Sequence, residues 1–225
     1  MQHVPSGRTS RPEHPRESTR PVLMVTWSIR EGFGGMTAMC LKRAGMFHER
    51  GVSSAVVTFD ANPGLAELRT LLVDTGRLHP QVPLLNLHDF YAEHAPASPA
   101  KKPRPWARSD EWRESGRTRR SIDGSLLHVD YRMPEHESAA LREYHRSDGT
   151  IYLVDSALPQ VGDAREVSRT LQLVDRGGNV VATLGSPAKL YRRFLTDLVT
   201  SRTRTSSSTA STRRASSGRG STPMP

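Results

Sequence analysis

Cysteine is nearly absent from this chain of 225 residues: Cys40 stands alone, which excludes a disulfide framework and a cysteine-rich metal site. No run of about 18 apolar residues occurs, so no membrane-spanning helix is expected, and MQHVPSGRTSRPEHPRESTR at the N-terminus lacks the apolar core of a signal peptide. Aromatic residues make up only 6% and apolar residues 35%, a lean composition that still permits a folded core. The full dinucleotide fingerprint G-x-G-x-x-G is missing too, and no acid follows the second strand in the dinucleotide sense, because Asp60 reads as the start of a turn. NAD binding is therefore disfavoured, and no metal or cofactor is expected.

What the chain has in excess is positive charge, a net +9. The excess sits in 1–20, 101–120 and 201–225, segments with little to bury, whereas 21–100 and 121–200 are slightly acidic. Basicity of this kind argues for flexible arms that adhere to polyanions or to an anionic membrane, rather than for a nucleic-acid-binding fold. The expected location is cytoplasmic, with weak association at the inner face of the membrane compatible with those arms, and a homo-oligomer is left open.

The organising stretch runs from Pro21 to Asp60. Val22 to Ile29 is β-branched and apolar without alternation, as in a strand buried on both faces of a parallel sheet. Arg30-Glu31-Gly32-Phe33-Gly34-Gly35 breaks both periodicities, and its glycines permit positive φ and close approach to a ligand. Met36, Met39, Cys40, Ala44 and Phe47 then share one helical face, Gly51 ends the helix, and Ser53 to Phe59 forms a second strand. In such a βαβ unit the ligand lies at the carboxyl end of the strand, against the unpaired N–H groups of the first helical turn. Gly34, Gly35, Met36 and Thr37 occupy that place and are the candidate substrate-binding residues. The same glycine pair also serves a plain tight turn from strand to helix.

Asn62-Pro63 opens a second helix with an apolar stripe at Leu65, Leu68, Leu71 and Leu72, and Val82 to Leu87 reads as a third strand. This completes a Rossmann-like βαβαβ block over 21–95. His88, Asp89 and His94 follow at the strand's end; they have the chemistry of metal ligands, but nothing fixes a third, and they are read as solvated loop residues. Residues 96–121, rich in proline and arginine with Trp106 and Trp112, read as a basic linker. Over 122–185 the pattern turns antiparallel: Ser125 to Arg132 alternates, Leu141–Arg146 and Thr150–Asp155 flank Ser147-Asp148-Gly149, and Val167–Val174 and Asn179–Leu184 flank Arg176-Gly177-Gly178. Ser186-Pro187 starts a helix over 186–200 with Leu190, Tyr191, Phe194, Leu195 and Leu198 on one face, returning to the Rossmann-like block. The remainder, 201–225, is serine, threonine and arginine without acid or aromatic, and is expected to be disordered like 1–20. It reads either as a natural Arg/Ser tail or as the product of a reading frame lost near Thr200.

Residues 22–91, with VLMVTWSI, GGMT, VVTFD and LLNLHDFY, resemble the N-terminal Rossmann-like half of family 4 retaining glycosyltransferases of the GT-B fold. Within that family they are most similar to the poly(glycerol or ribitol phosphate) α-glycosyltransferases of wall teichoic acid, whose N-terminal half carries an inserted antiparallel sheet similar to the hairpins at 122–184. The resemblance implies an α/β fold, here an incomplete GT-B N-terminal domain with such an insert, and a cytoplasmic enzyme that moves a hexose from a UDP-sugar to a polyol-phosphate or other glycan acceptor. It implies that Gly34 and Gly35 lie against donor phosphates or acceptor, with Met36 and Thr37 beside them, while a second domain carries basic groups and a glutamate pair spaced E-x7-E. Residues 201–225 contain neither glutamate nor a strand, so the chain is expected to be a truncated acceptor-side half, inactive alone and without catalytic residues of its own. A carbohydrate- or polyanion-binding module without chemistry, and a basic nucleic-acid-associated protein acting through its tails, are the alternative readings.

Overall fold

The computed structural model of the chain describes residues 21–94, 104–134, 136–160 and 163–215. Its first part is a parallel sheet. Strand β1 (Val22–Val25) is followed by helix α1 (Gly35–Glu49), strand β2 (Ser54–Thr58), helix α2 (Leu65–Asp74) and strand β3 (Leu84–Asn86). The sheet order is β1-β2-β3, with Val22 opposite Ser54 and Val56 opposite Leu84. All five residues of β2 are buried, as the central strand of such a sheet requires.

The helix face that α1 buries differs from the expected one. Leu41, Ala44 and Gly45 are buried, whereas Met36 and Met39 are 75% and 45% exposed. The reason is close approach at the C-terminal half of α1. Ser54 Oγ donates to the Ala44 carbonyl at 2.7 Å, and a Cβ on Gly45 would meet the Cβ of His79 at 3.6 Å. Leu41 and Ala44 then join Ile29, Val56, Leu72, Leu78 and Val82 in one apolar cluster.

The third strand is shorter than expected, and the loop expected after it is a helix, α3 (Leu87–Glu93). Asn86 decides this. Its Oδ1 accepts from the backbone N–H groups of His88 (2.8 Å) and Asp89 (3.3 Å), an N-cap, while its Nδ2 donates to Thr58 Oγ1 (2.9 Å) and to the Asp60 carbonyl (2.8 Å). In consequence His88 and Tyr91 are buried rather than solvated, and only Asp89, Glu93 and His94 remain exposed.

The second sheet is antiparallel and has seven strands. They are β4 (Arg104–Pro105), β5 (Arg113–Arg119), β6 (Leu126–Met133), β7 (His136–His145), β8 (Ile151–Gln160), β9 (Asp163–Val174) and β10 (Asn179–Leu184), ordered β4-β10-β9-β8-β7-β6-β5. Both edge strands lie within 96–121, the segment that reads as a linker. That reading is corrected for 104–119, and 96–103 lie outside the described residues. The segment is drawn in by its tryptophans: Trp106 and Trp112 pack on Val129, Tyr131, Leu141, Val154 and Val174, and Trp106 Nε1 donates to Glu143 Oε1 at 3.1 Å. The arginines of β5 are mostly exposed along the sheet edge, where charge discourages pairing with a further strand.

Helix α4 (Pro187–Ala215) buries Leu190, Phe194 and Leu198, spaced by four. It extends fifteen residues beyond Thr200, so the expectation of disorder from 201 onward is corrected as far as Ala215; the chain from Pro187 to Ala215 contains no glycine and no proline after the first position, so nothing in the backbone stops the helix. Residues 216–225, and the N-terminal 1–20 read as disordered, lie outside the described residues. The two sheets share a core, in which Val57 and Leu87 of the parallel part meet Tyr144, Leu153 and Leu171 of the antiparallel sheet and the buried stripe of α4.

Candidate functional site

The glycine turn lies where the chain leaves β1. Gly32 holds the left-handed conformation at φ 75°, and Phe33 N–H donates to the Arg30 carbonyl at 3.2 Å. Gly34 is different from the expectation for this turn: at φ −75° and ψ 174° it is extended backbone open to any residue, and it caps α1 through its carbonyl, which accepts from Ala38 N–H at 3.2 Å. No side chain caps the first turn of α1, and a Cβ at Gly34 or Gly35 would meet nothing within 4 Å. Gly34, Gly35 and Met36 are exposed, and Thr37 is half-buried with its hydroxyl 3.5 Å from that of Thr26. Chemically this is a set of N–H groups open to an anion or a hydroxyl.

A cavity of about 280 Å³ lies between the carboxyl ends of β1 and β2 and the antiparallel sheet, with Arg30, which precedes the turn, in its lining. Three rings form its apolar wall. Tyr191 of α4 meets Phe59 at 4.7 Å between centroids and Trp27 at 5.2 Å edge-on, and Trp27 is 58% exposed. The wall opposite comes from β7, β8 and β9, whose register places Arg142 beside Asp155. Asp155 accepts two hydrogen bonds from Arg169, at 2.9 Å from Nε and 2.6 Å from Nη2. Arg142 donates through Nε to Asp130 Oδ1 on β6 at 2.5 Å. A row of alternating acids and guanidinium groups thus crosses four strands on one face. Arg142, Tyr144, Asp155 and Arg169 also line a second, larger hollow of about 800 Å³, so the cavity continues along the sheet as a trench.

The trench carries a slight excess of positive charge: Arg30, Arg132, Arg142 and Arg169 line it together with Asp60, Asp130 and Asp155. Asp60 stands out: its Oδ1 is buried without a hydrogen-bond partner, and burial raises its pKa, while its own backbone N–H and the charge of Arg30 work in the other direction. His88, buried, lines the inner end of the cavity, and burial, followed by the charge of His128, lowers its pKa to about 3. Its ring packs against that of Tyr144, with centroids 4.5 Å apart. Among the described residues, no group of three or more His, Cys, Asp or Glu is placed to hold a metal ion. Also among them, no helix is long and apolar enough to cross a membrane.

The structure places Gly34, Gly35, Met36 and Thr37 at the start of α1, outside the lining of the cavity, which is built in part from residues that sequence reasoning did not assign to a site: Trp27, Asp60, Arg142, Asp155, Arg169 and Tyr191. An aspartate ending a β-branched strand was a signal available for Asp60. The charged row had none, since its members lie 12 to 14 positions apart and meet only through strand register.

No protein-family model and no curated sequence matches the chain. Among solved structures, similarity is found to TarM of S. aureus, in a G117R mutant complex with fondaparinux, α-GlcNAc-glycerol and UDP, at 14% identity and a TM-score of 0.32, covering 72% of this chain and 33% of that one. The pneumococcal O-GlcNAc transferase GtfA with UDP and GlcNAc matches at 11% identity and 0.35, covering 81% and 42%. A GtfA/B complex matches at 15% identity and 0.40, covering 80% and 41%. The chain thus spans between a third and about two fifths of the length of these structures.

Proposed function

We propose that these residues form the acceptor-side half of a retaining GT-B glycosyltransferase, which moves a hexose from a UDP-sugar to a polyol-phosphate or other glycan acceptor. Its donor-binding half would lie elsewhere, in further sequence or in a second chain, and the half described here would be inactive alone. The reading rests on the sequence resemblance of residues 22–91, and one observation carries it: the uncapped, unobstructed first turn of α1 stands at the carboxyl end of β1, with the Thr37 hydroxyl 3.5 Å from that of Thr26. Departure of a nucleoside diphosphate, or docking of a phosphate-bearing acceptor, builds negative charge that fixed N–H dipoles stabilise. In this scheme Gly34, Gly35, Met36 and Thr37 bind substrate phosphate, and the protein works at the cytoplasmic side of the membrane.

Gly35→Asp tests it. An aspartate at the first helical position has free space, and it suits the helix dipole, so the fold is retained. Its charge repels any phosphate held there. Calorimetry with UDP-glucose and with a glycerol phosphate oligomer is expected to show binding of at least one of them, weakened tenfold or more by Gly35→Asp. Unchanged binding of every ligand overturns the assignment of the site.

A further inference from the structure

We infer that the cavity between Trp27, Tyr191 and Asp60 is a subsite for one uncharged pyranose ring. The inference rests on the glycan-acceptor reading above and narrows it, since it assigns the chemistry of the acceptor unit that is held in this cavity.

Size comes first. At about 280 Å³ the cavity falls just under the range of about 300–1,000 Å³ typical of ligand pockets, a size that suits a single ring. Its opening into the larger trench lets a chain of further units continue over the sheet.

The lining then selects the ring. Trp27, more than half exposed and held edge-on by Tyr191, offers an indole that is apolar in body and rigid in position. The C–H face of a pyranose is the complementary surface. Hydroxyl groups at the ring's rim need donors and acceptors at fixed places, and the bidentate Asp155–Arg169 pair supplies both in one plane. Asp60 supplies an acceptor that the protein itself leaves unused. A buried carboxylate oxygen without a partner costs about 1–3 kcal/mol, so a ligand hydroxyl that donates to Oδ1 recovers what folding leaves unsatisfied.

Charge weighs against an anion in this cavity: each arginine that lines it already faces a carboxylate, Arg169 with Asp155, Arg142 with Asp130 and Arg30 through its charge on Asp60, so a phosphate would have to compete with all three. Anionic and neutral parts of a substrate are thereby sorted. Trp27 follows Thr26, whose hydroxyl lies 3.5 Å from that of Thr37, so the cavity wall is one residue removed from a contact with the helix turn.

The experiment uses the full chain and four probes: methyl α-glucopyranoside, methyl N-acetyl-α-glucosaminide, glycerol 3-phosphate and inorganic phosphate. Binding is read by saturation-transfer NMR and by tryptophan fluorescence in the wild type, Trp27→Ala, Asp60→Asn and Gly35→Asp, with circular dichroism as the check on folding. At least one glycoside is expected to bind in the millimolar range. Trp27→Ala and Asp60→Asn should each weaken it tenfold or more, and neither phosphate should displace it. The subsite is overturned if no glycoside binds, if the glycosides bind Trp27→Ala and Asp60→Asn as they bind the wild type, or if phosphate competes. Loss of the glycosides with Gly35-dependent phosphate binding retained removes the subsite and keeps the transferase reading; glycoside binding with no Gly35-dependent ligand removes the transferase reading and keeps the subsite.

Discussion

His88 and Tyr152 meet across the two sheets: the imidazole Nδ1 of α3 lies 3.0 Å from the phenol oxygen of β8, and both residues are buried. This contact ties the parallel β-α-β-α-β part to the antiparallel sheet at the floor of the candidate site. It also makes the assembly sensitive to acid.

Burial, with the nearby charge of His128, holds the His88 pKa at about 3 in the folded chain, against an ordinary value of 6.5. Between those values the unfolded chain binds the proton and the folded chain does not, so stability falls as pH drops from 6.5 towards 3 and is fully present above 6.5. The contribution of this one residue is about 1.4 kcal/mol per pH unit inside that window. Urea denaturation of the wild type and of His88→Gln at pH 7.0, 6.0 and 5.0 should show a shallower decline in the variant. An identical slope would place the proton elsewhere.

On the far face of the antiparallel sheet, buried Glu143 accepts hydrogen bonds from Trp106 Nε1 at 3.1 Å, Arg108 Nη1 at 2.8 Å and Tyr131 Oη at 3.0 Å. Glu143→Gln replaces one acceptor by a donor and leaves at least one of these groups facing an N–H. A loss of about 1–3 kcal/mol is expected from denaturation curves, with a change in the near-ultraviolet dichroism of Trp106. Unaltered stability would show that 104–108 is not docked on the sheet.

Phe194 of α4 is fully buried against Phe59, Phe90 and Tyr91, with ring centroids 6.1, 5.4 and 6.1 Å away. Phe194→Ala opens a cavity between the sheets and should cost about 3–5 kcal/mol. Both sheets share this core, so a single cooperative melt should shift as a whole. Two separated transitions in the variant would mean that the sheets fold independently.

Gly32 and Gly35 should respond in opposite directions to alanine. Gly32 sits at φ 75°, where a Cβ costs about 1–2 kcal/mol although the space around it is open. Gly35 is helical and unobstructed, so alanine there should be neutral or stabilising by up to about 1 kcal/mol. Thermal melts of the two variants compare the values directly.

Local signals settled much of this architecture in advance. The unbroken β-branched runs around Met24 and Val56, the leucine stripe near Leu72 and the turns at Gly149 and Gly178 are short-range features, and the amino-acid pattern alone dictates strand, helix and hairpin there. Where the outcome depended on contacts distant in the chain, the pattern was silent. Nothing around Asn86 announces that its amide will bond Thr58 and Asp60 and so turn the following residues into a helix. Trp106 and Trp112 read as surface aromatics until a sheet built from residues 126–184 offers them an apolar face. The glycine turn was visible as a motif, yet the cavity was not: Trp27, Asp60, Asp155 and Tyr191 come from four elements, and only the packing of α4 and the antiparallel sheet over the carboxyl ends of β1 and β2 brings them around it. Sequence determined most of the elements, because propensity and periodicity act over a few residues; tertiary structure decided α3, the edge strands at 104–119 and the site, because register and burial act between residues that the chain holds far apart.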